Sequence, residues 1–167
     1  MEIGTNLKDI TMTDISHLGA VVTISASNTT GNAPIPMTAF PKDTDPVSIP
    51  NVTLGSMEIG TNGDPITWSV ATPKELTLAV IPNTLDHVFM QQLVQLNTPE
   101  KGKRSNNDII TLTRVMPNGS VLLCEAGKLI EGSPAASQSS SGRINTPTYK
   151  FMFGKMSETP PVIELAQ

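Results

Sequence analysis

The chain has 167 residues, 16% of them charged, with a formal net charge of −4 and one cysteine. That length suits a single domain with an ordinary core; the acidic balance excludes recruitment of nucleic acid or an anionic membrane by bulk charge, and the lone Cys124 excludes an internal disulfide framework. Sparse charge combined with 14 prolines and 12 glycines favours strands joined by turns, so an all-β fold is expected.

The opening "MEIGTNLKD" is polar and acidic, with no apolar signal-peptide core, and no run of about 18 apolar residues could form a spanning helix. The chain is therefore expected to be made and folded in a cytoplasm, where Cys124 serves as a small buried hydrophobe and the sequons at Asn28, Asn51 and Asn118 carry no weight. "MEIGTN" recurs at Met57–Asn62, but the two copies diverge after Thr67 and no third follows. This is a reused hairpin wording or a coincidence, not a tandem array. In the second copy Asn62-Gly63 supplies the positive φ of a tight turn; the first has Leu7-Lys8 where Gly63-Asp64 stand.

"GAVVTISAS" is a strand by its β-branched content. An extended loop follows over 28–50, in which Phe40 lies among Pro41, Pro46 and Pro50, a composition that cannot pair continuously in a sheet centre. One or two strands lead to the Asn62-Gly63 turn. "ITWSVA" and the alternating "ELTLAVI" then read as a continuing antiparallel meander. "TLDHVFMQQLVQLN" breaks the pattern: Leu85, Val88, Phe89, Leu93 and Leu96 recur at helical spacing, with Thr84 or Asn83 as N-cap and Asp86 in the first turn.

A polar loop over 98–107 carries Lys101, Lys103 and Arg104. "IITLTRVMPNGSVLLCEA" is a second hairpin, turned at Asn118-Gly119. The loop over 132–142 is low in complexity, and its small residues cannot build a core, so it is expected to be flexible or ordered by a partner. Tyr149, Phe151 and Phe153 then mark the core face of a closing strand, and 157–167 is expected to be an extended C-terminal arm.

No residue set carries chemistry. His17 and His87 are not within ligand spacing of each other or of Cys124, and His87 is expected at the surface or its boundary. Asp86-His87 are helix neighbours that point apart. Ser56 in "GSMEIG" is misplaced for a nucleophile elbow. Gly127-Lys128 lacks the preceding glycine and the following Ser or Thr of a phosphate loop. Asp43 and Asp45 have the spacing that opens a calcium loop, but Pro46 follows where oxygen ligands are needed. The expectation is a non-enzyme with no catalytic residue, metal or cofactor. Its long Pro- and Ser-rich loops are best explained if neighbouring subunits order them.

Three anchors order the whole chain: "FPKDTDPVSI" before a strand, the strand-to-helix step at Asn83-Thr84, and a hairpin followed by an "SP" loop and the aromatic strand. Their layout resembles the tail tube proteins of contractile-tailed bacteriophages, to which the type VI secretion tube is related. The resemblance implies an all-β subunit, mainly an antiparallel β-sandwich or partial barrel, with one flanking α-helix and long inter-subunit loops. It further implies a virion tail protein forming hexameric rings stacked into a tube, with sheath and baseplate proteins as partners and no membrane. Genomic DNA would pass through the lumen without specific binding, which an acidic subunit with its basic residues gathered in one loop suits. Phe40, Asp43, Asp45, Lys101, Lys103, Arg104, Ser139 and Arg143 are the candidate inter-subunit contacts. The repeated "MEIGTN" departs from the pattern and leaves a tube initiator, terminator or baseplate role open. A receptor-binding β-module would need aromatic loop tips, which are scarce, and a hydrolase would need clustered titratable groups, which are scattered.

Overall fold

The structure, a computed structural model, describes residues 19–160. The first "MEIGTN", His17 and residues 161–167 of the expected arm lie outside the described residues.

Alternation drives the sheet. In β1 (Val21–Ala26) the odd-even pattern buries Val22, Ile24 and Ala26, and β7 (Ile110–Val115) buries Ile110 and Leu112 in the same way. With β2 (Ile35–Met37), β3 (Val47–Ser48), β6 (Lys74–Ala79), β8 (Val121–Gly132) and β9 (Thr148–Thr159), these strands form one seven-stranded sheet in the order β2-β1-β7-β8-β9-β6-β3. Every pairing is antiparallel. The sheet curls into a half-barrel, in keeping with the partial barrel and single helix expected from the sequence.

Irregularities in β8 produce the curl. Ile110 opposes Gly127 whereas Leu112 opposes Cys124, so β8 carries one extra residue there, and Ala126 takes a left-handed φ of 55° within that step. A second shift lies between Leu129 and Glu131 against β9. Each such bulge bends its strand and increases the local twist. The concave face is filled by Tyr149, Phe151 and Phe153 with Leu76, Leu78, Leu112 and Leu122. The helix α1 (Leu85–Asn97) packs against it through Met90, Leu93 and Val94. Val94 can approach because Gly132 has no Cβ; one placed there would stand 2.6 Å from the valine methyl.

Several expectations are corrected. The segment 28–50 is not one long loop, since it contributes β2 and β3, the two edge strands of the sheet, and buries Met37. The meander fails at its second step: β4 (Gly55–Ile59) and β5 (Pro65–Ser69) pair with each other in a separate two-stranded sheet, and β6 joins β9 instead. Pro50 and Pro73 bracket that hairpin and interrupt pairing on either side. The helix turns only part of the expected face inward: Leu93 is buried and Phe89 packs against the core as expected, joined by His87, Met90 and Val94, while Leu85, Val88 and Leu96 are exposed. Ser157–Thr159 of the expected arm are strand, paired against Leu123–Val121.

Both turn glycines are placed as expected, with φ of 83° at Gly63 and 88° at Gly119, and a Cβ at either would meet nothing within 4 Å. The cost of a side chain there is therefore backbone strain alone. Gly63→Val and Gly119→Val are each expected to destabilise the subunit by about 1 kcal/mol, read as a lowered melting temperature.

Candidate assembly interface

Among the described residues no group of three or more His, Cys, Asp or Glu side chains could hold a metal ion. Cys124 is fully buried, and burial pushes its thiol up to about 11 against the opposing pull of the Arg114 charge. His87 is buried rather than at the surface. It sits one turn into α1, where the Asn83 N–H donates to its Nδ1 at 3.0 Å and its own N–H donates to the N-cap Thr84 hydroxyl. Burial holds its pKa below the ordinary value, which favours the neutral imidazole.

The neighbouring Asp86 binds the strand side. Its Oδ2 accepts from the Thr38 and Ala39 N–H groups at 2.9 and 2.8 Å, tying the helix start to the segment after β2. Asp108 does the same at the helix end. Its Oδ1 accepts from the Asn28 and Thr29 N–H groups at 2.7 and 2.8 Å, and its Oδ2 accepts from the Thr29 hydroxyl and from Asn97 Nδ2. Nothing near Asp108 in sequence signals this role, because its partners lie 79–80 and 11 residues away.

Burial alone would raise the Asp108 pKa, but the bonds from Thr29, Asn97 and Asn28 outweigh it and hold the carboxyl below its ordinary value. A depressed carboxylate pKa stabilises the fold above the unfolded value near about 4 and loses that contribution as pH falls through the lower folded value. Urea midpoints measured from pH 6 to pH 2 are expected to fall less steeply for Asp108→Asn than for the wild type.

The structure scatters the eight candidate contact residues. Asp43 and Arg143 form an ion pair at 3.1 Å, and the Thr146 hydroxyl donates to Asp43, so the 28–50 segment is tied within one chain to the residues that follow the 132–142 segment. The serine-rich segment also has a frame of its own: Ser139 and Arg143 are joined backbone to backbone at 2.8 Å, and Gln138 bridges Ile144. Phe40 is half-buried and, with Asp45, lines a cleft of about 260 Å³ alongside Val22, Val47 and Arg114. Lys101, Lys103 and Arg104 are exposed just beyond the helix, and Lys103 Nζ donates to the Gln95 carbonyl at 2.6 Å.

An exposed apolar surface among the described residues was not among those candidates. All five residues of β4 and of β5 are exposed. Opposed pairs share a face, and the Val70 N–H to Leu54 carbonyl bond extends the ladder by one pair. One face therefore carries Leu54, Val70, Trp68 and Ile66 beside Ser56 and Glu58, with Leu54 78% and Ile66 53% exposed. The other carries Met57 and Ile59. A lone two-stranded hairpin is marginal in water, and a contiguous apolar patch marks an interaction surface. The sequence signal was present in the alternation on both strands and in the two bracketing prolines, but alternation alone does not say that the apolar face lacks a core.

Residues 13–157 match a family model described as tail fiber protein gp32. No curated protein matches the chain. Among solved structures, it is similar to a chain of the PVC extracellular contractile injection system sheath/tube terminator in the extended state, with 11% identity, 89% of this chain and 99% of that chain covered, and a TM-score of 0.56. A chain of the anti-feeding prophage baseplate gives 10% identity, 90% and 97% coverage, and a TM-score of 0.57. A chain of the PVC sheath-tube complex gives 12% identity, 96% and 100% coverage, and a TM-score of 0.52. At these identities the likeness is one of fold, and at that level it agrees with the tail-tube layout read from the sequence.

Proposed function

From the premise that the chain belongs to the tail fiber protein gp32 family, we propose that it is one tube-like structural unit that closes into hexameric rings, stacks into a phage tail tube and delivers genomic DNA through the lumen. The observation that carries this reading is the unpartnered hairpin: a half-barrel holding an apolar β4–β5 ribbon away from its own core is incomplete as a monomer. Its fold, shared with chains of contractile injection systems, supports the same assignment. The net charge of −4, repeated around a ring, limits phosphate binding along the lumen. Lys101, Lys103 and Arg104 belong to contacts between subunits. Sheath and baseplate proteins are the partners, and the virion tail is the location.

Two neighbouring readings have their own support. The family description names a tail fiber, which predicts a slender shaft without a lumen. One neighbour is part of a sheath/tube terminator, which predicts single rings that cap a tube without stacking. Sedimentation and negative-stain imaging of the purified protein at rising concentration separate them. Rings of six and hollow tubes are the expected result, and a protein that stays monomeric at high concentration overturns the proposal.

A further inference from the structure

The hairpin is not the only apolar surface left uncovered. Helix α1 carries apolar residues on two faces: Met90, Leu93 and Val94 point into the core, while Leu85, Val88 and Leu96 form an outward stripe, with Leu85 88% exposed. On a helical wheel these three fall within about 80° of one another, on the side away from Met90 and Val94 and next to Leu93. Because this stripe and the Trp68 face of the hairpin are both exposed, neither covers the other within one chain.

The two surfaces match in length and in charge. From Leu85 to Leu96 the helix rises about 16 Å, and from Leu54 to Glu58 the hairpin runs about 14 Å. Acidic Glu58 and Asp64 stand at the hairpin tip, and the basic residues Lys101, Lys103 and Arg104 stand beyond the helix C-terminus, held there by the Lys103 bond to Gln95. Among the described residues none of these five is in an ion pair.

We propose that the hairpin of one copy lies along the outer face of α1 of the next copy, base towards Leu85 and tip towards the basic loop. Trp68 then covers Val88, Ile66 meets the Leu96 end, and Glu58 and Asp64 face Lys101 and Arg104. The occupant is a second copy because both halves, complementary in charge and extent, reside on the same chain. Two different patches meeting head to tail make a heterologous interface, which closes into a ring when the rotation allows and also covers the hairpin. This arrangement rests on the self-assembly proposed above and specifies which faces make it.

Disulfide trapping tests it on the full chain. The buried Cys124 keeps the wild-type protein as a control that does not cross-link. An Ile66→Cys chain mixed with a Leu96→Cys chain is expected to form mixed dimers, and the double variant a ladder of multimers. Charge reversal supplies a second line: Glu58→Lys with Asp64→Lys is expected to abolish self-association, and mixing with a Lys101→Glu/Arg104→Glu chain to restore it. Ile66→Cys chains cross-linking to one another would overturn the proposal in favour of hairpin against hairpin. Rings seen by negative stain with neither the mixed disulfide nor the charge rescue would overturn it while leaving the assembly reading intact. Monomer alone from the wild type would overturn both.

Discussion

Phe151→Ala is expected to lower the stability of the subunit by about 3–5 kcal/mol, read as a large fall in the urea midpoint with an unchanged slope. Phe151 is fully buried, lies 6.0 Å from Phe153 in a stacked arrangement, and is flanked in register by Leu76 on β6 and Leu129 on β8. It sits in the spine of the sheet, where neighbouring backbones are fixed by ladders on both sides and cannot collapse into the void. Phe89→Ala should cost less, because that ring is only partly buried against the core from the helix side. Equal losses in the two variants would mean that the helix contributes to the core as much as the closing strand does.

Gly127→Ala is expected to be nearly as damaging, by about 3 kcal/mol, although it adds one methyl group. A Cβ at Gly127 would stand 2.2 and 2.3 Å from two carbons of the Phe153 ring and 3.0 Å from the Ile110 carbonyl oxygen. Gly127 and Phe153 are directly opposed on β8 and β9, so the ring lies over the bare glycine. The ring cannot swing away, since it is fully buried and stacked on Phe151. Phe153→Leu removes the obstructing atoms, and the double variant should therefore lose less stability than the two single losses added together. Strict additivity in a double-mutant cycle would show that the bulge, rather than the ring, governs this position.

The sequence made the half-barrel legible where local chemistry and tertiary demand agreed. Asn62-Gly63 and Asn118-Gly119 marked their turns, Thr84 capped its helix, and Tyr149, Phe151 and Phe153 declared the core side of β9. It misled where two answers shared one pattern. The helix has apolar residues at both Leu85/Val88/Leu96 and Met90/Leu93/Val94, and periodicity cannot say which stripe faces the core when each fits a helical spacing. Likewise β5 and β6 both alternate, but one belongs to the projecting ribbon and the other to the sheet. Edge strands of three and two residues, such as β2 and β3, are too short to leave a periodic signal. The Asp43–Arg143 pair joins segments a hundred residues apart, and only the folded chain brings them together.

The strand order also fixes a timetable for synthesis. β1 pairs with β7, whose first residue is Ile110, so the sheet cannot assemble its centre until most of the chain has left the ribosome. At about 5–20 residues per second, the 83 residues between Ala26 and Ile110 take about 4–17 seconds to emerge. The β4–β5 ribbon draws its ladder from neighbouring residues and, although marginal alone, closes in about 1–10 μs. A nascent subunit therefore presents Trp68 and Ile66 long before it owns the core from which α1 displays Leu85 and Val88. On crowded polysomes the adhesive half of the molecule exists for seconds without its acceptor, a window in which a chaperone able to shield one short apolar ribbon would raise the yield of finished subunits.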